Sequence, residues 1–203
     1  MEKENNKRDR WLSYEEEEKL LKASPNWLQE LIIFGVNTGM RLSEILSLSW
    51  KDVDLDRNTA IVMESKNREK RTIPFNQAAL TLLKAKSKVR SIKTDLFFYS
   101  HAHTLIDKCN VGKVFRKVIK KAKIENLRFH DLRHTFATRL VQAGQDLYRV
   151  QLLLGHKTPF MTQRYAHHYP ENLRSSVAAL DTARKEFSTK LAQNKKVGAN
   201  HDG

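Results

Sequence analysis

The stretch H-D-L-R-H-T-F-A-T-R-L, His130 to Leu140, decides how this chain is read. Arg133 follows His130 by three residues, nearly one helical turn, so both side chains can leave the same helix end. Downstream, L-L-G-H at Leu153–His156 reads as a helix closed by Gly155 with His156 just beyond it. Tyr165 comes nine residues after His156. Upstream, T-G-M-R-L-S-E at Thr38–Glu44 sets Arg41 after a helix-terminating glycine, where a side chain can emerge from a core toward a site. Fixed cations, proton-transfer groups and a nucleophile are the parts that phosphodiester chemistry requires.

The totals agree. At 203 residues the chain suits one domain with one core of ordinary size. Hydrophobic residues at 40% and charged residues at 30% fit a globular protein. A net charge of +14 points to a polyanionic partner, nucleic acid before anionic membrane. No apolar run approaches the ~20 residues that span a bilayer. The start, M-E-K-E-N-N-K-R-D-R, is too charged for a secretory signal. A lone Cys109 cannot form an internal disulfide, which fits a reducing cytoplasm.

Periodicity lays out a mainly helical chain around a small three-stranded antiparallel sheet. Residues 1–10 read as a linker. Ser13 with Glu16 forms a capping box opening a helix to about Lys22, and Pro25 breaks it. A buried helix from Trp27 to about Thr38 follows, then another over Leu42–Leu48 that Trp50 ends. D-V-D-L-D, T-A-I-V-M and R-T-I-P-F predict a meander near Asp52–Phe75, with Pro74 at a strand edge or end. Helices are predicted over Asn76–Lys88 and Lys108–Lys123, then from His130, Asp146 and Thr158-Pro159, with a helical tail from Glu171 to about Leu191. The Lys108–Lys123 helix turns Val111, Phe115, Val118 and Ile119 to one face and carries seven Lys/Arg and no acid. A solvated face usually mixes its charges, so Lys113, Lys117 and Lys120 are candidate phosphate contacts; Arg68 and Lys70, in the polar turn before the last strand, are further candidates.

His130 and His134, four apart on a helix, could suggest zinc. Asp131 stands where H-E-x-x-H needs glutamate, and Arg133 would set a cation beside the metal, so that reading is set aside. His134 is expected to be a buried, hydrogen-bonded histidine. His101, His103, His167 and His168 default to surface or loop positions, and Trp11, Trp27 and Trp50 to packing anchors.

The three strings T-G-M-R-L-S-E-I-L, H-D-L-R-H-T-F-A-T and L-L-G-H…Y, in this order, resemble the signature regions of the tyrosine recombinase (phage integrase) family. The resemblance covers about Trp11 to Asp181. It implies that family's catalytic-domain fold over residues 11–181, with 182–203 a tail that is helical and then frayed. By matching position, Arg41 and Arg133 are the arginine pair, His130 the first histidine, His156 the histidine-or-tryptophan position and Tyr165 the nucleophile. Glu44 matches an acid that supports the arginine. The family's lysine lies in the turn before the third strand; K-N-R-E-K-R-T-I-P-F selects Lys66, with Lys70 the alternative in the same turn.

The chemistry makes sense of this set. A tyrosine of ordinary pKa near 10 needs a base or strong positive potential to attack at neutral pH. Paired guanidinium groups can stabilise the phosphorane-like transition state, and a lysine can protonate the leaving 5′-oxygen. The product is a 3′-phosphotyrosyl bond that another strand's 5′-hydroxyl reverses, so neither metal nor any cofactor is called for. The implied function is site-specific recombination of double-stranded DNA in the cytoplasm, at the nucleoid, by a homo-oligomer that is tetrameric on two duplexes. A type IB topoisomerase-like nicking-closing activity and a non-catalytic DNA-binding relic are the alternatives. Full-length recombinases usually carry an N-terminal DNA-clamping domain, for which there is no room before Arg41; a catalytic-domain fragment or a short member is expected.

Overall fold

The computed structural model describes residues 10–63 and 70–168, then 177, 178, 180, 181, 184, 185 and 187. The chain divides into compact units at 1–169 and 170–203. The described residues of the second unit are helical; all else below concerns the first. Nearly all of the expected linker and tail, and the turn holding Lys66 and Arg68, lie outside the described residues.

Helix α1 (Tyr14–Ala23) opens on the expected capping box. The Ser13 hydroxyl accepts the Glu16 N–H at 3.2 Å, and the Glu16 carboxylate accepts the Ser13 N–H at 3.2 Å. Arg10, last residue of the expected linker, is half-buried with its guanidinium 2.5 and 2.8 Å from the Glu16 carboxylate. Helix α2 (Asn26–Thr38) buries Leu28, Leu31, Ile32 and Phe34 completely. Each such side chain contributes about 1.5–3 kcal/mol of burial, which makes α2 the structural axis. It ends because Gly39 adopts φ +64°. A Cβ at Gly39 would also lie 2.4 Å from the Phe136 ring, so both backbone and space demand glycine.

Helix α3 (Leu42–Ser47) follows at once and stops before Trp50. Trp50 does not end it, as the pattern had suggested, but starts a separate 3₁₀ turn over Trp50–Asp52. It is buried against Phe97, with the Arg90 guanidinium 4.1 Å above its ring. The sheet is the expected antiparallel meander, β1 (Val53–Asp54), β2 (Thr59–Met63) and β3 (Lys70–Pro74), in that order. The first strand is shorter than D-V-D-L-D implied. The Asp54 carboxylate accepts the N–H groups of Asp56 and Arg57, which turns the chain early. In β2, Ala60 and Val62 point into the core while Ile61 and Met63 point out, the period of two of a pleated strand. Pro74 closes β3, where its missing N–H costs least.

Helix α4 (Gln77–Ser87) is capped by Asn76 and packs on α2. Phe97 and Phe98 then cluster with Phe34. Helix α5 (Lys108–Ala122) packs on α1 and buries Val111, Phe115, Val118 and Ile119, leaving Lys113, Lys117 and Lys120 exposed. Helices α6 (Asp131–Gln142), α7 (Leu147–Leu154) and α8 (Pro159–Gln163) and a 3₁₀ turn at Ala166–His168 complete the unit. Helix α6 lies on α2, while α7 touches α6, α8 and β3. Two cores result, a large one around α2 and a small one of Ala137, Val141, Val150, Leu154 and Tyr165. Two of the histidines assigned to surface or loop positions make specific contacts there. His103 bonds Ser91 at 2.8 Å and stacks on Tyr99, and His168 packs edge-on to Trp11. Among the described residues no helix is long and apolar enough to cross a membrane.

Candidate active site

Three helix ends and one strand build the site. The end of α2 delivers Gly39 and then Arg41, the start of α6 delivers His130, Arg133 and His134, and the end of α7 delivers His156. Arg133 is buried, and its guanidinium donates to the Gly39 carbonyl at 2.7 Å and to the Leu154 carbonyl. These carbonyls terminate α2 and α7, where the helix dipoles leave negative charge. Burial, with Arg41 and Arg71 close by, lowers the Arg133 pKa to about 10, which still leaves it charged at neutral pH.

Glu44 sits beneath Arg41. Its carboxylate accepts the Arg41 backbone N–H at 2.8 Å and the Arg41 guanidinium at 2.9 Å. It also accepts two bonds from Arg71 on β3, at 3.0 and 2.7 Å. Burial works against the carboxylate charge, but the hydrogen bonds and charge of Arg71 together with the hydrogen bonds of Arg41 outweigh it and hold the Glu44 pKa below its ordinary value. Arg71 was missed from sequence, although alternation in β3 puts it on the same face as buried Ile73. Its side chain also runs under the α7 terminus. A Cβ at Gly155, which has φ +65°, would lie 2.8 Å from the Arg71 Cδ.

Tyr165 is 2% exposed, with its ring in the small core. Its hydroxyl lies 2.6 Å from His134 Nδ1. The expectation that His134 is hydrogen-bonded therefore has a partner that spacing alone did not name. His156 Nδ1 lies 2.8 Å from the Thr162 hydroxyl on α8. A cavity of about 220 Å³ is walled by His130, Arg133, His134, His156, Phe160, Met161, Arg164 and Tyr165. Of the six residues that the resemblance implied, four line this one space, and Arg41 stands beside it. Its charge contributes to the low pKa values of His130 and His156. Lys66 and Arg68 lie outside the described residues, and Lys70 begins β3 exposed to solvent.

Burial and the surrounding arginines keep the imidazoles neutral. His156 is pushed down to about 3, by burial first and then Arg133. His134 is pushed down to about 4 by burial, His130 and Arg164. His130, exposed at the rim, is lowered by desolvation and Arg133. Neutral rings beside permanent cations can accept and relay protons while the guanidinium groups bind an anion. Among the described residues no three His, Cys, Asp or Glu side chains form a metal-holding group. A larger hollow of about 560 Å³, lined in part by Trp27, Phe98, Tyr99 and Ile106, shares no residue with this site.

Comparison with known proteins places this geometry. A model of the phage integrase family matches residues 10–172. The integrase of Salmonella phage P22 is 31% identical over 189 residues, covering 87% of this chain and 48% of that protein. Tyrosine recombinase XerA of Saccharolobus solfataricus is 36% identical over 159 residues, covering 78% and 52%. The chain thus spans about half the length of the relatives it matches. Among solved structures, the catalytic domain of bacteriophage HP1 integrase superposes with TM-score 0.65 at 25% identity, covering 83% of this chain and 93% of that one. XerH site-specific recombinase, in a post-cleavage complex with palindromic difH substrate, superposes with TM-score 0.68 at 28% identity, covering 87% and 54%. With its fold and its sequence in agreement, the chain belongs to the phage integrase family and has the catalytic-domain fold of the tyrosine recombinases.

Proposed function

We propose that this chain cuts and rejoins double-stranded DNA in site-specific recombination, with Tyr165 as the nucleophile. The observation that carries the reading is the single cavity that Tyr165 lines together with Arg133, His130 and His156. The scissile phosphate would enter there with its non-bridging oxygens held by Arg133 and Arg41. The Tyr165 oxygen attacks phosphorus, the bond to the 5′-oxygen breaks, and a 3′-phosphotyrosyl ester forms. The leaving oxygen takes a proton from Lys66, or from Lys70 at the start of β3. Attack by the 5′-hydroxyl of another strand regenerates the phenol. One phosphodiester replaces another, so the exchange needs no nucleotide hydrolysis. Such exchange between two duplexes brings two pairs of protomers together, on the chromosome in the cytoplasm.

The test uses the chain with a library of randomised duplexes carrying sulfur at the bridging 5′ positions. A sulfur leaving group does not re-attack readily, so covalent adducts accumulate and their DNA can be sequenced. Adducts are expected with the unaltered chain and none with Tyr165→Phe. No adduct from the unaltered chain would overturn the reading, and a normal adduct yield from Tyr165→Phe would overturn the nucleophile.

A further inference from the structure

We propose that His134, at its Nδ1, takes up the hydroxyl proton of Tyr165 as the nucleophile attacks. This rests on the recombinase reading of Tyr165 given above. The core fixes the phenol ring, and its oxygen is 2.6 Å from His134 Nδ1, the distance of a direct O–H···N bond. His130, the histidine that the family resemblance singles out, is one turn earlier on α6. Its ring stands 5.0 Å from that of His134 and perpendicular to it.

A phenol can donate to Nδ1 only if the imidazole is neutral with its proton on Nε2. The surroundings select that state. On α6, His130 and Arg133 oppose a charge on His134, while Asp131 favours one; from the end of α8, Arg164 opposes it. His134 in turn acts on the neighbouring His156 in the same direction. A phosphodiester brought into the cavity adds negative charge beside the ring and raises its proton affinity at the step that needs it.

The step balances. As the Tyr165 oxygen bonds to phosphorus, its O–H bond breaks and the proton passes to Nδ1; the bond to the 5′-oxygen breaks and that oxygen is protonated by the lysine acid. In rejoining, the Nδ1–H returns its proton to the departing phenolate. His134 therefore serves the nucleophile in one direction and the leaving group in the other.

Two measurements test this. Nitrogen NMR of the chain with labelled histidine should show His134 Nδ1 unprotonated at neutral pH and shifted by Tyr165→Phe. Single-turnover cleavage should then be followed on a duplex recovered from the sulfur-bridged library. His134→Phe, which keeps bulk and removes the acceptor, should slow cleavage by about 10²-fold or more. Its rate should climb about tenfold per pH unit from about pH 7 to 9, as phenolate formed in solution replaces the lost base, while the unaltered chain stays flat. His134→Asn places an acceptor oxygen near the Nδ1 position but cannot carry the proton. It should show the same climb, and it decides the matter if His134→Phe does not fold. A protonated Nδ1 at neutral pH, or flat profiles within about threefold of the unaltered chain, would overturn the assignment of His134 alone. Absence of any adduct from the unaltered chain would overturn the recombinase reading and this role with it.

Discussion

Arg71 on β3 holds both carboxylate oxygens of Glu44 on α3, with hydrogen bonds of 3.0 and 2.7 Å. Their side chains are only 10% and 8% exposed. The sheet is thereby fastened to the residue that also holds Arg41. Glu44→Ala should cost about 3–5 kcal/mol, because it leaves the Arg71 charge buried and unpaired. Glu44→Gln should cost less, since an amide oxygen can still accept the Arg41 N–H. Urea unfolding of the two variants checks the order; equal costs would mean that shape, not charge, holds the pair.

Stability should fall in mild acid. His134 and His156 have folded pKa values of about 4 and about 3, below the free-histidine value. The unfolded chain therefore binds more protons once the pH drops below about 6.5, so stability is complete above that point and lost toward pH 4 and then 3. Each ring contributes a slope of roughly 1 kcal/mol per pH unit. The low Glu44 pKa adds its loss only below the ordinary carboxylate range. Urea midpoints between pH 7 and 4.5 should decline, and less steeply in His156→Gln. Parallel declines would remove His156 from the account.

The general acid is open to a direct chemical test. Lys66→Ala should slow cleavage of ordinary DNA by about 10²–10⁴-fold. A bridging sulfur leaves as a thiolate that needs no proton, so the sulfur substrate should restore most of that rate. It should rescue Arg41→Ala little, whose defect is charge on the non-bridging oxygens. If sulfur instead rescues Lys70→Ala and leaves Lys66→Ala slow, Lys70 is the acid.

How far these assignments were legible in the sequence depended on the distance over which the governing physics acts. Capping at Ser13 and the helix stop at Gly39 are local, and each was readable from a few residues. Trp50 was misplaced because it is held by Phe97 and Arg90, which are distant in sequence. In the site, the residue types and their order were readable, but the partnerships were not. Tyr165 meets His134 across 31 positions and Arg71 meets Glu44 across 27, and no periodicity reports on such pairs. Arg71 could have been suspected from its register with Ile73, since a guanidinium on a buried face needs a carboxylate.

The exposed basic side of α5 yields a salt-dependence prediction. If Lys113, Lys117 and Lys120 touch phosphates, neutralising all three should reduce the log–log salt slope of DNA binding by about 0.9 for each phosphate left without its lysine. An unchanged slope in a filter-binding titration would make that face merely solvated.

The two carbonyls that Arg133 holds have a consequence for reading the descendants of such a chain. The arginine is a keystone between the ends of α2 and α7 before it is a phosphate ligand. A copy that decayed into a silent DNA-binding protein would still need it to stay folded, whereas Tyr165→Phe would give up one hydrogen bond, to His134, and keep the ring packed in the small core. Retention of the arginine across a genome's copies would thus record surviving folds, and retention of the tyrosine surviving enzymes.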